Sequence, residues 1–95
     1  MNYITEKMLE LGNRKEVLEE RRDATFQKQQ EIHLKWVQSC NLYGEESDTA
    51  EEYLAWYEQL YAEWMKLDNE CEALENALIA LGQAQDCLEK LKDFS

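Results

Sequence analysis

The sequence predicts an all-α protein, a long antiparallel two-helix hairpin that packs like a coiled coil. Leucine or tyrosine recurs at every seventh residue from Tyr53 to Leu88, which is the spacing of a coiled-coil core row. The 95 residues include no proline and only three glycines, so helix breakers are scarce. Turn-forming residues gather once, around Gly44 and Ser47, and this single strong break predicts two long helices.

Helix one is predicted over about residues 3–40. Its seven-spaced apolar row is Ile4, Leu11, Leu18, Thr25 and Ile32. The companion row is apolar only at its two ends, Met8 and Trp36, so this helix needs an apolar partner. Gly12 can end a helix and Asn13 can begin one. The sequence therefore leaves open a single helix, bent at Gly12, or a short extra N-terminal helix before a longer one.

A connection over about residues 41–48 leads to helix two, which is predicted over about residues 49–92. Thr49 and Glu52 have the spacing of a capping box, which places the N-cap at Thr49. The leucine row and a second row displaced by four residues predict a core seam: Leu60, Leu67, Leu74, Leu78, Leu81 and Leu88. Both helices together are expected to form one helical-hairpin domain, residues 1–95.

The charge distribution predicts how the two helices align. Residues 1–47 carry seven Lys or Arg and nine Asp or Glu, whereas residues 48–95 carry three and twelve, so the excess acidity lies in helix two. With a turn centred at about residue 45, residue i faces roughly residue 91 − i in an antiparallel hairpin. That register sets a basic cluster opposite an acidic one: Arg14, Lys15, Arg21 and Arg22 against Asp68, Glu70, Glu72 and Glu75.

A wide apolar arc lies in the first half of helix two. Over residues 53–67 it covers roughly 180° of the helix circumference, whereas an amphipathic surface helix needs about 100°. Part of the arc can pack against helix one, and the remainder is predicted to contact a second chain, because Trp and Tyr dominate interface hot spots. The predicted interface consists of Trp36, Leu54, Trp56, Tyr57, Tyr61, Trp64 and Met65. The alternative is that these side chains form intramolecular core alone.

The sequence offers little for catalysis or metal binding. His33 is the only histidine, and Gln30 stands three residues before it, where a di-iron bundle needs Glu. The three cysteines, Cys40, Cys71 and Cys87, have no CxxC spacing, and no glycine-rich phosphate loop occurs. We therefore expect no enzymatic activity, no cofactor and no metal site.

Net charge and cysteine use bear on partners and location. A formal net charge of −11 argues against direct nucleic-acid binding, because phosphate contacts need Lys or Arg. No stretch approaches the ~18 apolar residues that cross a bilayer, and an odd number of cysteines favours a reducing compartment. The expectation is a cytoplasmic protein without membrane contact.

In length and outline the chain resembles the helical-hairpin WXG100 proteins of type VII secretion. Val37 and Gln38 follow Trp36, however, where those proteins have a Trp-x-Gly turn. Small acidic helical chaperones of type III secretion look similar in charge and size. Both resemblances are architectural, and they identify no family.

The function expected from these features is protein–protein interaction through helix–helix association. The chain would act as an adaptor, chaperone or inhibitor, either as a homodimer that forms a four-helix bundle or with a helical protein partner. The alternative is an acidic mimic of a polyanion such as DNA, which would inhibit a nucleic-acid-binding protein as small phage inhibitors do. For helix–helix association the binding surface would be the aromatic arc. For polyanion mimicry the binding surface would be the acidic face.

Overall fold

Two helices cover almost the whole described chain. The computed structural model describes residues 2–93, in which α1 spans Tyr3–Tyr43 and α2 spans Asp48–Asp93. The predicted all-α hairpin is confirmed. Of the two arrangements left open for helix one, the structure has the single helix, which is uninterrupted through Gly12. A helical glycine costs only about 1 kcal/mol, and packing against α2 on both sides of Gly12, at Thr5 and Leu18, holds the helix together.

Local side-chain and glycine chemistry sets the ends of α1. The Asn2 side chain accepts a hydrogen bond of 2.8 Å from the Ile4 amide and caps the N-terminus. At the other end Gly44 adopts φ +91° and ψ 157°, and its amide donates to the Cys40 carbonyl at 2.9 Å. Only glycine adopts this backbone region readily. The helix therefore ends at Tyr43, three residues beyond the predicted end.

The connection between the helices is shorter than predicted, and a different residue caps α2. Ser47 precedes the helix, and its side-chain oxygen accepts from the Ala50 amide at 3.2 Å. The same hydroxyl donates to the Gly44 carbonyl at 2.9 Å. The prediction that Thr49 is the N-cap is wrong, because Ser47 is as good a capping residue and begins the helix two residues earlier.

The helices run antiparallel in nearly the predicted register. Four cross-helix contacts join residues whose numbers add to 90: Thr5 with Gln85, Arg22 with Asp68, Phe26 with Trp64, and His33 with Tyr57. The predicted sum was roughly 91. The contacts therefore agree with the predicted register to within one residue.

The core is a thin seam between the helices. Its buried apolar residues are Leu18, Ile32, Ala50, Leu60, Leu67 and Cys71, and the polar residues Gln29 and Ser39 are buried with them. Within residues 2–92 no large side chain is fully buried. Each helix packs against only one other helix, so the two sides of the seam stay accessible to solvent. The molecule is accordingly a rod of 75 × 16 × 13 Å. Neither helix, over the described residues, has an apolar stretch long enough to cross a membrane.

Candidate association surface

The predicted core seam is most buried near the middle of the hairpin. Leu60 and Leu67 are buried, and Leu67 forms a cluster with Leu18 and Cys71 against which Leu74 packs. Leu78 and Leu81 are half-buried. Leu88 is 44% exposed. The seam therefore weakens toward the open end of the hairpin.

The predicted interface residues divide into three groups. Trp36, Tyr57 and Trp64 are half-buried along the junction of the two helices. Leu54, Tyr61 and Met65 are exposed. Leu54 and Tyr61 are seven residues apart and Met65 follows four later, so these three form one stripe along α2. Trp56 is also exposed, but it precedes Tyr61 by five residues and lies about 140° around the helix from it.

A single apolar surface results on one side of the hairpin, and we call it the aromatic face. Its exposed members are Phe26 from α1 and Leu54, Tyr61 and Met65 from α2, each between 38% and 47% exposed. Tyr57 and Trp64 lie between them, in a shallow groove of about 300 Å³ that Gln29 and Gln30 also line. The Trp64 ring centroid is 6.4 Å from that of Phe26 and 6.3 Å from that of Tyr61. Rings from both helices therefore form a continuous surface.

His33 lies at the loop-side edge of the aromatic face. It is exposed, and its ring centroid is 5.6 Å from that of Tyr57 and 5.8 Å from that of Trp36. An imidazole ring thus adjoins the aromatic side chains of both helices. No set of three potential metal-ligating side chains comes together in the described part of the chain.

Trp56 has a different environment on the other side of the hairpin. The Lys28 ammonium lies 5.5 Å from the centroid of its ring, which is a cation–π contact across the two helices. Lys28 follows Phe26 by two residues, so the two side chains point in nearly opposite directions from α1. The predicted arc is therefore split, with Trp56 beside a cation and the aromatic face without one.

One of the predicted cross-helix ion pairs forms. Arg22 Nη1 lies 3.0 Å from Asp68 Oδ1, and Arg22 Nε lies 3.5 Å from Asp23. Burial lowers the pKa of Arg22, but the hydrogen bond to Asp68 and nearby negative charge outweigh it, so the pKa is raised. Lys15 pairs with Glu19 on its own helix at 3.2 Å, and that contact raises its pKa. Arg14 and Arg21 are exposed and form no ion pair with the described residues.

The cysteines are free and differ in accessibility. Cys71 is buried in the seam, Cys40 is half-buried and Cys87 is exposed. Burial raises the pKa of the Cys71 thiol, Arg22 opposes this, and the carboxylates of Glu19 and Asp68 add to the rise. Burial and Glu45 likewise raise the pKa of Cys40. A raised pKa keeps a thiol neutral and poorly nucleophilic.

Three residues of this region were not predicted from the sequence. Phe26 contributes to the aromatic face, Gln29 is buried beneath it, and Lys28 covers Trp56. None of them belongs to an apolar seven-spaced row, which is why periodicity missed them. The antiparallel register contained the missing signal, because it sets each of them opposite the aromatic segment of α2.

No protein-family model, curated protein or solved structure matches this chain.

Proposed function

We propose that this chain is a non-enzymatic interaction protein, an adaptor, chaperone or inhibitor, which associates with a helical surface through its aromatic face. The observation that carries the proposal is that exposed Phe26 and Tyr61 flank half-buried aromatic rings in one groove, with exposed Leu54 and Met65 in the same stripe of α2 as Tyr61. Contiguous exposed apolar patches on soluble proteins typically mark interaction sites. Aromatic residues and Met are also enriched at the centres of such interfaces.

The total accessible surface supports the same conclusion. The chain exposes 7286 Å², whereas a globular monomer of 11.3 kDa exposes about 5,700 Å². The excess is about 1,600 Å², and a standard interface buries ~800 Å² of each partner. Association with a second helical surface would therefore remove about half of the excess. A second copy and a different helical protein could each supply that surface.

The test compares a change on the aromatic face with a change elsewhere. Tyr61→Ala should abolish self-association, measured by sedimentation equilibrium, or the retention of a partner captured from the native host. Val17 is the matched control, because it is similarly exposed and precedes Phe26 by nine residues, half a turn away on the helix. Val17→Ala should keep the parent's behaviour, and circular dichroism should show full helicity for both variants.

The proposal fails if helical Tyr61→Ala and Phe26→Ala proteins both keep the parent's oligomeric state and partner. In that event the aromatic face is only the exposed rim of the intramolecular core, and the acidic surface becomes the next candidate for the binding site. Truncating a hot-spot aromatic residue costs at least about 2 kcal/mol of binding free energy. A loss of that size is measurable by either method.

Mimicry of a polyanion is less well supported. Eleven net negative charges extend over 75 Å, about one per 7 Å, whereas duplex DNA carries one per ~1.7 Å. Five basic residues, spaced by seven along α1, further dilute the negative potential on one edge: Lys7, Arg14, Arg21, Lys28 and Lys35. Mimicry would require binding that moderate salt abolishes and that Tyr61→Ala leaves intact.

A further inference from the structure

We infer that the partner received by the aromatic face is an amphipathic helix with an apolar stripe flanked by basic side chains. This inference rests on the proposed function, and it adds the chemistry of the partner. It follows from the charges that surround the aromatic face and from its dimensions.

The charges on the aromatic face are of one sign. Glu58 lies in the same stripe as Leu54 and Tyr61, one helical turn from each, and Glu51 precedes Leu54 by three residues. Both carboxylates are exposed, and neither forms an ion pair with the described residues. Arg22, one turn before Phe26, is paired with Asp23 and Asp68. Lys66 follows Met65 and points about 100° away from it around α2, where it lines a separate cavity with Arg21 and Glu63.

The lysines of this region lie on the other side of the hairpin. Between residues 23 and 65 the only Lys or Arg residues are Lys28 and Lys35. They follow Phe26 by two and nine residues, which directs both about 180–200° away from it around α1. Lys28 is engaged with Trp56 there. The hairpin therefore presents aromatic side chains with carboxylates and no lysine on one side, and lysines together with Glu63 and Glu70 on the other.

This distribution disfavours a second copy as the occupant. A two-fold symmetric contact brings the same patch of both copies together, so Glu51 and Glu58 of each chain would face a patch of the other copy that also carries these carboxylates and offers no unpaired Lys or Arg. Like charges held together in an interface cost binding free energy and suppress that pairing. Each copy also carries a net charge of −11, which adds long-range repulsion. A basic partner removes both penalties.

The dimensions of the surface suit one helix. The stripe from Leu54 to Met65 is about 16 Å long, and the stripe from Phe26 to Val37 on α1 has the same length. The groove between them contains Tyr57 and Trp64. A helix of about three turns, laid along the groove, can place apolar residues at i, i+4 and i+7 against these rings. Basic side chains at its edges then reach Glu51 and Glu58.

The experiment uses two synthetic 18-residue helical peptides with the same leucine stripe, one with lysine and one with glutamate on the remaining face. Fluorescence anisotropy measures the Kd of each for the full chain at about 0.1 M salt, where charge effects extend only ~10 Å. The lysine peptide should bind at least about tenfold more tightly than the glutamate peptide. Tyr61→Ala should raise the Kd of the lysine peptide at least about tenfold, and Val17→Ala should leave that Kd unchanged.

A matched pair of charge variants separates the local carboxylate from the overall charge. Glu58→Gln and Glu89→Gln each remove one exposed carboxylate of α2, but Glu89 lies about 46 Å further along the helix. Glu58→Gln should raise the Kd of the lysine peptide several-fold more than Glu89→Gln does. Equal effects would show general attraction to an acidic protein and would overturn the inference.

The remaining outcomes are also decisive. Equal binding of the two peptides overturns the basic partner. A stable dimer that Tyr61→Ala dissociates identifies a second copy as the occupant, which overturns this inference and leaves the proposed function standing. If Tyr61→Ala alters neither peptide binding nor oligomeric state nor partner retention, both the inference and the proposed function fail.

Discussion

Arg22 explains how a sparsely apolar row of α1 can pack against a helix. The row Met8, Lys15, Arg22, Gln29 and Trp36 faces α2, although its centre is polar. Long basic side chains cover apolar surface with their methylene stems and keep their charge at the edge. Arg22 does this against the cluster around Cys71 and directs its guanidinium to Asp68. The Arg22–Asp68 pair therefore helps to align α1 with α2 and adds little buried apolar surface.

The Arg22 and Asp68 pair should show measurable coupling in a double-mutant cycle. Arg22→Ala, Asp68→Ala and the double variant are compared by urea denaturation, and we expect a coupling of about 0.5 kcal/mol, because both side chains are partly exposed to solvent. Arg14 and Glu72 belong to the predicted clusters but form no ion pair with the described residues. The same cycle on these two should give no coupling, and equal values for both cycles would contradict the observed contact.

Thiol reactivity should follow burial. Cys87 is exposed and Cys71 is buried with a raised pKa, so a thiol reagent at neutral pH should modify Cys71 at least about tenfold more slowly. The raised pKa means that folding favours the neutral thiol. Its contribution to the free energy of unfolding is present below the unfolded pKa of about 8.5 and is lost as pH rises through the folded value. The stability difference between the parent and Cys71→Ala should therefore shrink above about pH 8.5, and a constant difference up to pH 10 would contradict this.

The two helices depend on each other to different degrees. α2 supplies a complete row of large apolar residues through the middle of the hairpin, including Leu60 and Leu67. α1 supplies fewer, and two of its four buried residues, Gln29 and Ser39, are polar. The hairpin therefore needs both the leucine seam and a connection that directs α1 back along α2.

The seam should be most sensitive to truncation where it is most buried. Leu67 is 5% exposed and contacts the Leu18 and Cys71 cluster, so Leu67→Ala should lower the free energy of unfolding by about 2–5 kcal/mol. Leu88→Ala is the control in the same row, and it should cost under about 1 kcal/mol, because 44% of Leu88 is already exposed. Thermal melts followed by circular dichroism measure both. Similar losses for both variants would show that the seam is equally packed along its length.

The three glycines should respond to alanine with opposite signs. Gly44 has φ +91°, and a Cβ there would meet nothing within 4 Å, so the cost of Gly44→Ala is purely conformational, about 1–3 kcal/mol. Gly12 and Gly82 are helical, and a Cβ at either position also meets nothing within 4 Å. Gly12→Ala and Gly82→Ala should each stabilise the protein by about 0.5–1 kcal/mol. Destabilisation by Gly12→Ala would indicate that a partner or a bend requires the glycine.

The hairpin as a body is elongated, and its shape constrains any assembly. Its Cα radius of gyration is 21.3 Å, whereas a compact domain of this length has about 12 Å. The long, thin form leaves both sides of the seam accessible, and one of them contains the aromatic face. Association along this side would thicken the rod, and association at its ends would lengthen it.

Small-angle X-ray scattering of a complex should distinguish these arrangements. A helix or hairpin bound along the aromatic face should raise the mass while the maximum dimension stays near the 75 Å of the single rod. The cross-sectional radius should increase, because helices pack about 8–10 Å apart. The free monomer, measured under the same conditions, provides the reference. A maximum dimension that grows in proportion to mass would contradict lateral association.

The sequence pattern was enough to predict the helical class, the hairpin and its register. Heptad spacing, the absence of proline and the single cluster of turn formers are local properties, and opposite charges on the two helices select one alignment. The N-cap at Ser47 was missed, because Thr49 is an equally suitable capping residue nearby. The continuity at Gly12 was left open, because Gly12 and Asn13 could also end one helix and begin another. Those choices depend on which alternative lets the helices pack together.

The exposed side of the aromatic arc could be identified only after α1 was placed against α2. Periodicity shows that the arc is too wide for one helix to cover, but it cannot show which edge α1 leaves uncovered. Phe26 and Lys28 decide this, because α1 brings an aromatic ring to Trp64 on one side and an ammonium to Trp56 on the other. Burial depends on the partner surface as well as on the helix that carries the residue, so the aromatic face is a property of the packed pair.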